Sequence, residues 1–254
     1  MSDSVPSYHD LAGWYDALYE ARGKNYVAEA RAVLEVVTEL RGAPPESLLD
    51  AACGTGRHLA VFAEEVDEAA GLDMSPEMLA IAAGRVGSTV PLHEADLRTF
   101  DLGRTFDAVT CLFSSIGHVA DADELDTAIA VMADHVAPGG VLLVEPWLTP
   151  DRVVPGGIRT LDSAQTDEGV VARAVTSRED GDHLLVEYGW AVATTSGVAT
   201  LEERHRLPLF TRERYLASME ATGLTASWRD DVAELQAHRG LLLGHRPAAG
   251  EPAR

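Results

Sequence analysis

Cysteine is scarce: the chain has two in 254 residues, Cys53 and Cys111. Both fall inside apolar or turn segments, and two thiols make neither a disulfide framework nor a zinc site. The histidines have no metal-ligand spacing either, so no metal is expected. No run approaches the roughly 18 apolar residues of a membrane span, so no membrane segment is expected. The first residues are polar and carry Asp3 before any apolar run, so no secretory leader is expected. Basic charge is the largest deficit, with 20 Lys and Arg against 41 Asp and Glu and a net charge of -21. Such a surface repels a polyanion, which argues against nucleic acid as substrate or partner. Internal repeats are missing too, and the only biased tract is the tail at 247–254. What remains is a cytoplasmic chain long enough for one large domain, or one domain carrying an insertion, with 46% hydrophobic residues to build a core.

The stretch Leu48-Leu49-Asp50-Ala51-Ala52-Cys53-Gly54-Thr55-Gly56 organises the rest. It reads as a buried strand running into a Gly-rich turn, with a helix starting at Arg57-His58-Leu59. Small residues at Ala51 and Ala52 and the glycines Gly54 and Gly56 remove side chains where the backbone would turn tightly, so a ligand could approach the main chain closely. Such a turn after a first parallel strand is where open α/β sheets bind nucleotide-like groups. A second apolar run ends in Asp73, seventeen residues after Gly56, where a carboxylate can accept from both hydroxyls of a ribose. A third ends in Asp96, which can accept from an adenine amino group. A fourth, Phe106–Phe113, ends in the polar loop Ser114-Ser115-Ile116-Gly117-His118. A nicotinamide dehydrogenase needs G-x-G-x-x-G to seat a pyrophosphate. Here Leu59 occupies the third glycine's place, which disfavours that reading and fits a cofactor without phosphate.

In chain order, residues 11–40 show helical spacing, with a break at Gly23 and unusual aromatic density (Trp14, Tyr15, Tyr19, Tyr26). Strands at 47–52, 67–72, 89–94, 106–113 and 141–147 then alternate with helices at 57–65, 75–86 and 122–136. That alternation predicts a largely parallel sheet with helices on both faces. Residues 148–169 read as loop. Strands at 170–177, 183–194 and 198–209 follow without helices, predicting a three-stranded antiparallel meander. A helix at 211–222 and strands at about 224–229 and 239–245 complete the main sheet. The expected organisation is an N-terminal helical segment at 1–40, a core at 41–147, an inserted β region at 148–209, a C-terminal completion at 210–246 and the tail. The meander offers an edge through which two copies could pair as a homodimer.

The series of strand ends resembles the S-adenosylmethionine-dependent methyltransferases of the Rossmann-like class (class I), with their mostly parallel seven-stranded sheet. Further segments narrow the resemblance: Tyr15-Asp16 with Arg22-Gly23-Lys24-Asn25-Tyr26, Val144-Glu145-Pro146-Trp147, His205–Glu213 and Arg239-Gly240-Leu241. Together these look like the nucleotide-sugar N,N-dimethyltransferases of macrolide antibiotic pathways, across nearly the whole chain including the meander. The resemblance implies S-adenosylmethionine as cofactor and a dTDP-linked amino deoxy sugar as substrate. It places Tyr15 and Tyr26 near the cofactor's methionyl part, Asp73 with Met74 at the ribose and Asp96 with Leu97 at the adenine. Leu112 would cover the cofactor. On the acceptor side it implies Tyr8, His118 near the sugar amine, and Arg239 by the diphosphate.

Methyl transfer to an amine is an in-line displacement that needs a neutral lone pair held behind the methyl carbon, worth up to roughly 7–11 kcal/mol in favourable cases. His118 is the candidate proton acceptor, since an imidazole titrates at about 6.5; the alternative is that it only orients the hexose while water takes the proton. Glu145 and Trp147 end a core strand at the ligand edge, and Trp147 either stacks on the acceptor or packs. The guanidinium of Arg239 suits a phosphate. Two readings stand beside the sugar enzyme: a methyltransferase of the same fold acting on another small metabolite, and a cofactor-binding sensor that catalyses nothing.

Overall fold

The computed structural model describes residues 11–230, 232, 235, 239–248 and 250. It divides into two compact units. One comprises the residues up to Asn25 with Val153–Leu209, and the other Tyr26–Arg152 with the residues from Phe210 on. The segment expected at 1–40 is thus shared between them. Among the described residues, no helix is long and apolar enough to cross a membrane.

The larger unit is a seven-stranded sheet flanked by helices. Its strands are β1 (Ser47–Ala51), β2 (Glu68–Asp73), β3 (Leu92–Glu94), β4 (Phe106–Cys111), β5 (Val136–Val144), β10 (Thr225–Arg229) and β11 (Leu241–His245). They lie in the order β10-β11-β5-β4-β1-β2-β3. Only β11 runs against its neighbours. The near-continuous apolar runs of β1, β4 and β5 follow from burial on both faces. Adjacent Leu48 and Leu49 point to opposite sides and enter different core clusters. Leu48 packs with Ala30, Val33 and Val37 of α2 (Tyr26–Arg41) and with Phe62 of α3 (Arg57–Glu65). Leu49 packs with Leu125, Ile129 and Met132 of α5 (Ala122–Asp134) and with Tyr215 and Met219 of α6 (Arg212–Glu220).

Helix starts follow local chemistry. Ser75 caps α4 (Pro76–Val86), its hydroxyl accepting from the Met78 amide at 3.2 Å, with proline in the first turn. Asp121 caps α5 by accepting from the amides of Asp123 and Glu124, both at 3.0 Å. Thr211 caps α6. Strand order reverses between β1 and β4, which pair side by side. The carboxyl ends of these two strands therefore diverge into helices on opposite faces, and a crevice opens there.

The smaller unit packs α1 (Ala12–Ala21) with a four-stranded antiparallel sheet of β6 (Arg159–Thr166), β7 (Gly169–Asp180), β8 (His183–Thr194) and β9 (Gly197–Pro208), paired in sequence order. The meander has four strands rather than the expected three, because β6 falls within the stretch read as loop. As an edge strand β6 is polar and largely exposed, so it lacks the apolar alternation that marked its neighbours. Inside this unit Arg173 is only 2% exposed. Its guanidinium pairs with Asp162 at 3.0 Å and lies 5.0, 5.6 and 5.2 Å from the rings of Tyr19, Tyr188 and Trp190. Part of the aromatic density near the N-terminus therefore serves to bury one cation.

Gly71 in β2 tests how tightly the turn end of the larger sheet is packed. A Cβ there would meet Leu59 Cδ2 at 2.5 Å, Cys53 Sγ at 2.9 Å and Leu92 Cδ2 at 3.1 Å. Gly71→Ala is expected to lower stability by about 1–3 kcal/mol through overpacking, read as a lower urea midpoint with an unchanged slope.

Candidate active site

The turn after β1 leaves little side chain at its crest. Ala52, Gly54 and Gly56 have φ of 62°, 56° and 76°. For Ala52 this left-handed backbone is strained, which marks functional turns. A Cβ on Gly54 would meet nothing within 4 Å, so space lies open above it. One on Gly56 would press on Ala82 Cβ at 3.0 Å. The second glycine thus lets α4 approach, and the first leaves room for a ligand.

Asp73, at the end of β2, faces this turn. Its Oδ2 accepts from the Gly54 amide at 2.8 Å and its Oδ1 from the Ser75 amide at 2.9 Å. Burial pushes its carboxyl above the ordinary aspartate range, opposed by these backbone donors. The Met74 amide adds a third backbone hydrogen bond, which still leaves the carboxylate room for a further donor, as a ribose would supply. Asp96 follows β3. Its carboxylate is forked by Arg98, with Nε at 2.9 Å from Oδ1 and Nη2 at 2.5 Å from Oδ2. That hydrogen-bonded guanidinium holds the Asp96 carboxyl below its usual range. Arg98 also reaches Glu124 at 2.7 Å, and Glu124 accepts from the Ala120 amide at 2.8 Å. Asp96 is thereby tied to the loop that carries His118.

The ends of β4 and β5 form the other side. Phe113 and Ser114 are both left-handed, with φ of 56° and 62°. Glu145, 2% exposed, braces this strain: its Oε2 accepts from the Phe113 amide at 2.7 Å. The Ser114 hydroxyl donates to the Pro146 carbonyl and accepts from Arg239, both at 2.7 Å. The Arg239 guanidinium carbon lies 4.9 Å from the Trp147 ring and its Nη1 3.9 Å from Glu145 Oε1. Gly117 sits against Trp147, where a Cβ would come within 2.7 Å of Trp147 Cβ. His118 ends that 3-10 turn, exposed. The structure so gathers His118, Glu145, Trp147 and Arg239 at one edge. Several polar atoms there are buried without a hydrogen-bond partner among the described residues: Glu145 Oε1, Trp147 Nε1, Thr149 Oγ1 and Arg239 Nε. Orphans at this density call for a ligand or water.

The other expected residues are placed as follows. Tyr26 begins α2, its ring edge-on to His58 at 5.1 Å. Leu112 is buried in the core with Leu143 and Leu241. Leu97 is half-buried against the opposite cluster, and Met74 is 69% exposed. Tyr15 lies in the smaller unit, 4.7 Å from Tyr19 between ring centres. Tyr8 lies outside the described residues.

Three groups at the turn carried no signal in the sequence beyond their residue types. Asp50, 2% exposed within β1, accepts from the Thr110 hydroxyl at 2.9 Å. Burial pushes its carboxyl up to about 6, opposed by the positive field of His58. His58 in turn pairs with Glu29 at 2.8 Å. Only the fold brings these acids and this imidazole together.

Comparison with known proteins agrees with this geometry. Residues 48–140 match the family described as a methyltransferase domain. The chain is 40% identical over 243 residues to the dTDP-3-amino-3,6-dideoxy-alpha-D-glucopyranose N,N-dimethyltransferase of Streptomyces fradiae, covering 95% of this chain and 93% of that one. Among solved structures, DesVI of Streptomyces venezuelae superposes with a TM-score of 0.86 at 38% identity, covering 94% of this chain and 99% of that one. An amino pentose methyltransferase from Micromonospora echinaspora, bound to S-adenosylmethionine and involved in calicheamicin biosynthesis, gives a TM-score of 0.80 at 36% identity. It covers 97% of this chain and the whole of that one is matched at 100%.

A carboxyl raised from about 3.9 unfolded to about 6 folded binds more protons in the native state between those values. Its ionisation therefore costs stability above pH 6, and the cost fades as pH falls towards 4. Asp50→Asn is expected to be more stable than wild type by about 1–3 kcal/mol at pH 8. The gap should close by pH 4, measured by urea unfolding across pH.

Proposed function

The chain belongs to the family of dTDP-amino-sugar N,N-dimethyltransferases, and from that we propose that it methylates the amino nitrogen of a nucleotide-linked amino deoxy sugar, twice on one nitrogen. The reaction serves natural-product biosynthesis of the antibiotic type. The cofactor is S-adenosylmethionine (SAM), which supplies an electrophilic methyl group on a sulfonium. The residues present fit it: an open turn at Gly54, an acid at the end of β2, a second acid after β3, and no demand for phosphate. Ala52 and Gly54 would leave space for the methionyl part, with Tyr26 beside it. Asp73 would hold the ribose next to Met74, and Asp96 the adenine next to Leu97. Leu112 would back the cofactor from the core.

The observation that carries the acceptor side is the set of half-engaged buried groups at the end of β5. Glu145 Oε1 is an acceptor for a sugar amine or hydroxyl, and Trp147 Nε1 a donor. Arg239, held over Trp147, offers a fixed cation for the diphosphate. His118 would orient the amine and take its proton in the first and second transfers. Preorganised groups of this kind lower the barrier by positioning, without reorganisation at the moment of reaction. The free thiols Cys53 and Cys111 suit a reducing cytoplasm. Exposed Leu161, Val170 and Val198 of the smaller unit favour pairing of two copies through that sheet.

Incubation with SAM and a dTDP-linked amino deoxy sugar should give the N,N-dimethyl product by mass spectrometry; cofactor binding without transfer to any amine would instead identify a sensor. Arg239→Ala should raise the acceptor KM about 10- to 100-fold while changing SAM affinity less than about twofold. Equal loss of both would remove Arg239 from the acceptor site. In His118→Gln, a kcat that loses its acid limb identifies a proton acceptor. An unchanged limb with a higher KM identifies an orienting group.

A further inference from the structure

Arg239 stands two residues before β11 begins, with a glycine between. Gly240 has a left-handed φ of 77° and no room for a side chain: a Cβ there would come within 2.5 Å of Trp228 Nε1 and 2.7 Å of its Cε2 and Cζ2. One edge of the indole therefore lies against the backbone from which Arg239 projects. Trp228 belongs to β10, and three other groups hold its ring. Its Nε1 donates to Asp230 Oδ1 at 2.8 Å, the Arg212 guanidinium carbon lies 5.4 Å from its centre, and the Tyr215 ring stands 6.1 Å away. Asp230 reaches further. Arg152 donates to the same oxygen at 2.6 Å and Arg212 to the other at 3.5 Å. Arg152 closes the 3-10 turn Pro150–Arg152, its amide donating to the Thr149 carbonyl at 2.9 Å, just beyond Trp147.

We propose that Trp228 and Asp230 are positioning residues for the acceptor's diphosphate: together they set where Arg239 stands, and so how tightly the nucleotide part binds, without touching it themselves. This rests on the reading of Arg239 in the preceding subsection. The contacts form a closed ring. From Asp230 one arm runs through Arg152 to the segment that carries Trp147, over whose ring Arg239 lies at 4.9 Å. The other runs through Trp228 to Gly240 and back to Arg239. Both supports of the guanidinium, the ring beneath it and the backbone behind it, thus depend on one carboxylate. The Trp228 hydrogen bond, with the charges of Arg152 and Arg212, holds the Asp230 carboxyl below the usual aspartate range against its partial burial. The side chains of Asp230 and Arg212 are 44% and 46% exposed, and ion pairs so open to water add little stability. What the cluster contributes is placement: it joins the loop after β5, the start of α6, the end of β10 and the entry to β11.

Calorimetry on the full chain, with thymidine diphosphate as one ligand and S-adenosylhomocysteine as the other, tests this. Asp230→Ala removes an anion from a protein of net charge -21, so long-range electrostatics alone predicts tighter diphosphate binding. A displaced Arg239 predicts the opposite sign. The dissociation constant for thymidine diphosphate should rise about three- to tenfold, while that for S-adenosylhomocysteine changes less than about twofold. Trp228→Phe keeps an aromatic ring and loses the N–H. It should show the same pattern at about two- to fivefold, and it carries the test if Asp230→Ala does not fold. In Arg239→Ala protein either change should add less than about twofold, because residues that act through one group are not additive. Unchanged or tighter diphosphate binding in the single variants, equal loss of both ligands, or a fully additive loss in the double variants would overturn the proposal. If Arg239→Ala binds thymidine diphosphate as wild type does, or wild type binds none, the reading of Arg239 as the diphosphate's cation fails instead.

Discussion

One carboxylate pins the architecture of the crevice. Asp73 reaches from the end of β2 to the amide of Gly54 at 2.8 Å and turns its other oxygen to the amide of Ser75 at 2.9 Å. The first contact shapes the turn that opens α3; the second fixes the cap that opens α4. Two helix entrances and two strand ends therefore share one side chain. Its burial raises the cost of its charge, and the backbone amides offset part of that cost. The remaining lone pairs face a turn whose crest is free of side chain. In the proposed reading, a cofactor with vicinal hydroxyls and no phosphate would complete such a site.

The acceptor edge is built by the same logic with opposite charge. A protein of net charge -21 disfavours a diphosphate at long range. Screening limits that repulsion to about 8 Å at physiological salt, so a local cation decides binding at contact. Arg239, the cation proposed for that contact, is held by the Ser114 hydroxyl on one atom and lies 4.9 Å from the centre of the Trp147 ring. Glu145 spends one oxygen on the strained Phe113 backbone, while the other has Arg239 at 3.9 Å and no hydrogen-bond partner among the described residues. Strain, orphaned polar atoms and a fixed guanidinium converge on a few residues after β4 and β5.

Much of this was legible in the chain. Asp73 and Asp96 were found because they end apolar runs, and the runs were found by period and length. Ser75, Asp121 and Thr211 announced their helices because capping needs one residue type at one position. Strand β6 was missed because an edge strand bonds on one side and faces water. Its polar alternation looks like a loop until β7 is seen beside it. Asp50, Glu29 and His58 were passed over as sites for a different reason. An aspartate in a strand, a glutamate on a helix and a histidine after a turn mean little separately, and their meaning lies in distances of 2.8 and 2.9 Å across elements far apart in sequence.

By itself, then, the order of residues determined which elements form, where they start, and the acids, turn and polar loop that strand ends deliver to one side of the sheet. Those properties rest on backbone sterics and side-chain periodicity, which act over a few neighbours. The tertiary structure alone decided that burial pushes the Asp50 carboxyl up to about 6, that Asp96 is forked by Arg98, that Arg239 lies over Trp147, and that a fourth strand joins the antiparallel sheet. Desolvation, charge pairing and edge pairing depend on which distant segments exclude water from one another, and no local pattern in the chain encodes that.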